Sequence, residues 1–259
     1  MVARCLVEPG ARADAFNAVR VADAYDNIDP ALADYPLKQL VLVRGFITAI
    51  KHMGLRKIAP LTFRLLHAHN LDIAFFTSIA PTYLEARRKG PLPLAQLFAR
   101  FEESLLAYLP GLSADAALSI DAMLRHEAHI WRAATASPQD SARGIGPKLV
   151  EGARVAHFTV DVLSLCESLS RDPHGRLPQP NRREQFLFYL PESSATRAFE
   201  VDALSAYVLS GLDGHRTLER VCLDAMSAFD FLTSELVKGL IDDAADHAMV
   251  VPSGSGRGS

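Results

Sequence analysis

The chain has 259 residues, of which 49% are hydrophobic, and a formal net charge of -3. That length and apolar content suffice for one large domain or two ordinary ones, while the near-neutral balance calls for neither a polyanionic partner nor an acidic membrane surface. Cys5, Cys166 and Cys222 are an odd set, far apart and without a CxxC pair, which argues against a disulfide framework or a zinc knuckle and for a reduced, cytoplasmic chain.

The opening stretch MVARCLVEPGARADAF has no signal-peptide apolar run, and no apolar stretch reaches the ~18 residues of a membrane span, so neither export nor membrane insertion is expected. From Pro36 onward Leu37, Leu40, Val41, Val43, Phe46, Ile47 and Ile50 recur at spacings of three and four, the pattern of a buried helix face that ends near Met53-Gly54. Further helical segments are predicted at 59 to 68, 81 to 88, 92 to 109 and 113 to 134, punctuated by Pro60, Pro81, Pro91, Pro93 and Pro110-Gly111. Residues 1–134 therefore read as a helical domain.

Residues 135–182 read as a linker region. TASPQDSARGIGPKL is rich in Ser, Gly and Pro, and RDPHGRLPQPNRR, Arg171 to Arg183, holds three prolines and four arginines. Between them Val155 to Val162 is β-branched and fits a strand, whereas Val162 to Ser170 fits a short helix; the pattern does not decide between them. The tail at 253–259, SGSGRGS, has the composition of a disordered segment.

Beyond Arg183 the pattern changes. Phe186 to Leu190 is aromatic and strand-like, Pro191 to Ala195 turn-like, and Thr196 to Val201 alternates polar with apolar, which together predict a hairpin. Asp202 can cap a helix with Leu204, Tyr207, Val208 and Leu212 that stops at Asp213-Gly214. Thr217 can cap a second with Leu218, Val221, Cys222 and Ala225, and a third carries Leu232, Leu236, Val237, Leu240 and Ile241. Ala248 to Val251 closes a short final strand. The fold class predicted is thus mainly α, with a helical N-terminal domain followed by a winged helix-turn-helix of a β-hairpin plus three helices over 183–252.

DNA binding, the usual work of that architecture, meets an electrostatic objection. Between Asn181 and Pro252 there are 6 Lys and Arg against 12 Asp and Glu, a net of -6, and DNA affinity comes largely from neutralising phosphates with basic side chains. The third helix holds Glu235, Lys238, Asp242, Asp243 and Asp246. No nucleic-acid partner is expected.

Phe186 to Leu190, Arg197 to Asp202 and the run ALSAYVLSGLDGHRTLERVCLDA resemble the PqqD-like peptide-binding domain, the RiPP recognition element of ribosomal peptide natural-product pathways. The resemblance covers 183 to 252, and its most specific part is the apolar helix, Asp213-Gly214, one residue, Arg216-Thr217, then a second apolar helix. The sequence departs from the family at Asp246-His247-Ala248, where a glycine is usual. The resemblance implies that a precursor peptide's leader adds as a strand to the hairpin edge and packs against the third helix, an arrangement in which backbone pairing supplies affinity and alternate side chains supply specificity. On that reading Arg197, Ala198, Phe199, Glu200 and Val201 form the edge, with Leu236, Val237, Leu240 and Ile241 as the apolar floor.

A helical domain joined to such a domain, with no internal catalytic motif, resembles the accessory subunits that partner multinuclear iron oxidases of TIM-barrel fold, of the methanobactin and 3-thiaglutamate type. This implies a non-catalytic chain without a cofactor of its own, a heterodimer with the oxidase subunit, and iron in that partner. The chain has no GxSxG, Gly-rich phosphate loop or dinucleotide fingerprint. Two other classes stay open: a metal-dependent peptide-modifying enzyme with His126 and His129, at i, i+3 in LRHEAHIW, as ligands, and a winged-helix transcriptional regulator. His67-Ala68-His69 diverges on a helix and is a weaker chelating pair.

Overall fold

The structure, a computed structural model, describes residues 53–72, 74–75, 93–136, 145–171, 179–193 and 195–251. The expected helix from Pro36, the segment 81–88 and the tail 253–259 lie outside the described residues. What is described is mostly helical with a small antiparallel sheet. It groups into two compact units, one running through Leu124 and taking up the chain again at Leu169, the other formed by Arg125–Ser168 and the chain from Pro178 on.

In the first unit, α1 (Met53–Ile58) and α2 (Pro60–Ala68) follow one another closely, with Pro60 at the start of α2, where its missing N–H has no intrahelical partner to lose. Helix α3 spans Leu94–Tyr108 and α4 spans Ala114–Ala134, of which the part through Leu124 belongs to this unit and the rest to the second, with a short 3-10 turn at Leu109–Gly111 between the two helices. The apolar spacing of α3 buries Phe98, Phe101 and Leu105. Phe101 is the hub of the unit: its ring stacks on Phe63 at 5.2 Å and meets Phe75 edge-on at 5.8 Å. Leu55, Leu66, Ile120 and Met123 complete a solvent-free core. The periodicity of 92–109 and 113–134 was a sound guide because each helix buries one stripe and leaves the other wet.

The second unit is built on a three-stranded antiparallel sheet in the order β2 (Arg154–Phe158), β3 (Gln185–Pro191), β4 (Thr196–Val201). After β4 come α6 (Ala203–Ser210), α7 (Leu218–Ala228) and α8 (Ser234–Asp246). Each of the three has a side-chain cap: Asp202, Thr217 and Thr233 accept from the backbone N–H of Ser205, Arg220 and Leu236. Leu232, expected inside the third helix, precedes its cap and is buried instead as an anchor of the incoming loop. One sheet face packs on these helices through Phe188, with Val155, Leu190, Phe199 and Val201 around it, against Val208, Leu212, Val221, Val237 and Ile241. The other face meets the last turns of α4: Tyr189 and Phe158 lie beneath His126 and His129.

Residues 135–182, expected as a linker with one possible strand or short helix, contain both alternatives and more. Arg154–Phe158 is a full strand of the sheet, Val162–Arg171 is a helix, α5, and β1 (Lys148–Leu149) pairs with the closing strand β5 (Val250–Val251). The glycine-rich stretch before β1 is a packed element too. Gly146 donates to the Gly214 carbonyl at 3.2 Å and Gly214 donates back to the Pro147 carbonyl at 3.1 Å. A Cβ on Gly146 would stand 1.7 Å from the Arg216 carbonyl oxygen, so only glycine permits this approach.

The same contact explains why α6 stops and α7 restarts so quickly. Gly214 takes a φ of +79°, and the Asp213 carboxylate accepts from the backbone N–H of His215 and Arg216 at 2.8 and 3.1 Å and from the Arg216 Nε at 3.0 Å. Burial opposes the Asp213 charge, but these donors and the Arg216 guanidinium hold its carboxyl below the ordinary range. The turn is thus both an internal cap and the dock for the chain entering the unit.

Candidate functional site

Strand β4 is an outer strand of the sheet, with β3 on one side and no strand of the described residues on the other. Its register pairs Phe199 with Phe188 and Val201 with Phe186, and the Glu192 N–H bonds the Ala195 carbonyl at 2.7 Å where the hairpin closes. Antiparallel pairing alternates, so that bond sets the phase. Arg197, Phe199 and Val201 direct their backbone groups to β3; Thr196, Ala198 and Glu200 direct theirs to the open edge.

The side chains sort by the same alternation. Phe199 and Val201 lie half-buried on the face that packs on the helices, and Phe199 meets Phe188 at 5.5 Å. Arg197 is exposed and pairs with Glu192 at 3.3 Å. On the opposite face Thr196 donates its hydroxyl to the Ile130 carbonyl at 3.2 Å, and Glu200 accepts from Arg183 at 2.8 Å and from Gln185 at 3.1 Å. Ala198 lies between them and is half-buried. Arg197 to Val201 thus lie on an outer strand of the sheet among the described residues.

The apolar floor divides differently. Val237 and Ile241 are core residues, 1% and 5% exposed, and are not available to a ligand. Leu236 is 60% exposed and Leu240 is half-buried. The reason is helical geometry: Val237 and Ile241 share the stripe turned into the core with Ala244, whereas Leu236 and Leu240 occupy the adjacent flank. That flank is turned away from α7, since the Cys222 thiol of α7 meets the Ser234 carbonyl, on the other side of α8. The usable apolar surface of α8 is therefore Leu236 and Leu240.

His126 and His129 are placed as sheet-facing residues of α4. His126 is 5% exposed and shares a 2.8 Å hydrogen bond between its Nδ1 and the Tyr189 hydroxyl. The His129 ring stacks on Tyr189 at 5.1 Å. Burial pushes the His126 imidazole down to about 4, and burial followed by Arg154, Arg132 and Arg125 pushes His129 to about 4. Burial likewise raises the Tyr189 phenol, and raises the nearby Cys166 thiol to about 12 with help from Glu127. His126 and Tyr189 form a neutral, hydrogen-bonded pair in this layer, and Cys166 is no thiolate nucleophile at neutral pH.

No group of three or more His, Cys, Asp or Glu among the described residues is arranged to hold a metal ion. His126 spends a nitrogen on Tyr189, a partner 63 positions away that no local spacing reveals. His67 pairs with Asp72 at 3.1 Å, at the surface, and His69 caps the end of α2. No helix of the described residues is long and apolar enough to cross a membrane. Neither a family model nor a curated protein sequence matches this chain.

Proposed function

We propose that this chain is a peptide-recognition subunit of a ribosomal peptide natural-product pathway, capturing a precursor's leader as an added strand on β4. The hairpin and three helices of the second unit then form a winged helix-turn-helix of the RiPP recognition element type. The observation that carries the reading is the outward-facing backbone of Thr196, Ala198 and Glu200, which no strand of the described residues pairs, accompanied by an apolar flank, Leu236 and Leu240, on the same unit. An outer strand supplies sequence-independent hydrogen bonds, and apolar side chains of the same unit would select the peptide.

The chain does no chemistry of its own on this reading. It tethers the leader and so raises the local concentration of the core peptide at the active site of a second subunit, an iron-dependent oxidase of TIM-barrel fold. The neutral His126–Tyr189 layer and the raised Cys166 thiol support a non-catalytic role, because they supply neither a free base nor a nucleophile near neutral pH.

The test is affinity capture of the tagged chain from its native lysate, with mass spectrometry of what comes with it, beside the variant Ala198→Pro. Proline at that position removes an N–H that points to the open edge, so the fold is kept while an added strand loses a hydrogen bond and meets the ring. The expected result is a short peptide and an iron-containing subunit with the native chain, and loss of the peptide from the variant. Failure to recover a peptide, or equal recovery with Ala198→Pro, overturns the reading.

A further inference from the structure

A second feature lies at the other edge of the sheet, away from β4. Along α4, Arg125, His129 and Arg132 follow at i, i+4 and i+7 and so share one helical line. Facing that line is Arg154, the first residue of β2, whose cross-strand partner is Tyr189, the ring on which His129 stacks. Arg154 and Arg132 both act electrostatically on the His129 ring, and Arg132 acts on Arg154.

They are unequally engaged. Arg125 donates to the His157 carbonyl at 3.0 Å and lies 5.2 Å from the Phe158 ring centre, so it braces β2. Arg154 makes one hydrogen bond, from Nε to the Gly152 carbonyl at 3.3 Å, and no ion pair among the described residues, although it is half-buried. The His129 Nδ1 is buried without a hydrogen-bond partner among the described residues. The loop that presents Arg154 is closely fitted: Gly152 has a φ of +79°, and a Cβ there would come within 2.8 Å of the Ala133 carbonyl oxygen.

Such an arrangement costs stability in the empty protein. A half-buried guanidinium beside another cation is disfavoured, and an orphaned ring nitrogen loses its hydration without recompense. Arg154 is accordingly pushed below the ordinary arginine value, first by burial and then by Arg132, and after burial the His129 imidazole is lowered by Arg154, Arg132, Arg125 and His126. An anion would resolve all of these conflicts together.

We infer that Arg154, Arg132 and the His129 Nδ1 form a binding site for a small oxyanion of the carboxylate or phosphate class. The remaining donors of the Arg154 fork suit two oxygens of one ligand, Arg132 adds charge, and neutral His129 with its proton on Nδ1 donates a third hydrogen bond. The site stands on β2 and α4, so its occupancy does not require a strand on β4 and does not rest on the peptide-binding reading.

The test uses the full chain titrated with inorganic phosphate and, separately, with succinate, against sodium chloride at matched ionic strength, read by calorimetric titration and by the unfolding midpoint. Saturable binding with a raised midpoint is expected for at least one oxyanion. Phosphate alone identifies a phosphate-type ligand, succinate alone a carboxylate, and either supports the site. Arg154→Gln is expected to weaken binding at least about tenfold while the midpoint of the empty protein stays level or rises, because a like-charged neighbour has been removed. Oxyanion responses no larger than chloride overturn the inference. So does an Arg154→Gln variant that melts earlier yet still binds, which would make Arg154 a structural prop.

Discussion

The buried His126 makes a quantitative prediction about acid stability. In the unfolded chain its imidazole titrates near the ordinary 6.5, and in the folded chain burial lowers this to about 4. Between those values the unfolded state binds the proton and the folded state does not, so stability is fully present above pH 6.5 and is lost as pH falls toward 4. At about 1.36 kcal/mol per pH decade, the drop amounts to about 3 kcal/mol from this one residue. His129 acts in the same direction and the same window. The assay is urea denaturation at steps from pH 7 to pH 4, followed by fluorescence of the single tryptophan, Trp131, which lies on α4 five residues beyond His126. The comparison is His126→Gln, which keeps a polar partner for the Tyr189 hydroxyl but does not titrate. The native chain should lose about 3 kcal/mol more over this range than the variant. Equal pH slopes for the two would refute the argument that burial holds His126 neutral.

Three other outcomes follow from the packing. Tyr189→Phe removes the hydroxyl that serves His126 and leaves a buried nitrogen unsatisfied, so it should cost about 1–3 kcal/mol in the same denaturation experiment. Gly146→Ala drives a methyl into the Arg216 carbonyl; separation of the entering chain from the Asp213-Gly214 turn should appear as faster amide exchange at Gly214 and a loss of more than about 1 kcal/mol. Leu236→Asp, on an exposed flank, should change stability by less than about 0.5 kcal/mol and abolish peptide capture, whereas Val237→Asp puts a charge into the core and should prevent folding, checked by circular dichroism.

Helix positions in 92–134, the hairpin at 185–201 and the three helices after it were legible because each is a local pattern: a stripe, an alternation, or a cap with the residue type its geometry needs. Asp202 and Thr217 could be named as caps from their position before an apolar run, and Thr196 to Val201 as a half-buried strand from its polar alternation, whereas its place at the edge was implied only by the resemblance. The region before Arg183 misled for a related reason. Glycine, serine and proline signal irregular backbone, and an irregular segment reads as a linker whether it hangs free or is fitted against a turn. Only the folded chain brings Gly146 to within reach of Gly214, 68 positions on, and so turns that segment into part of a unit.

The sites divide along the same line. The sequence by itself determined the composition of the β4 edge and the apolar face of α8, since both follow from periods of two and of 3.6 residues. Tertiary structure decided which residues of that apolar face remain at the surface: Leu236 and Leu240, with Val237 and Ile241 committed to the core. It also decided that His126 belongs to Tyr189 and that Arg154, with no ion pair among the described residues, acts on His129. Each of these depends on which strand is laid under which helix, and that is settled by the burial of the whole apolar set, to which no single stretch of sequence holds the key.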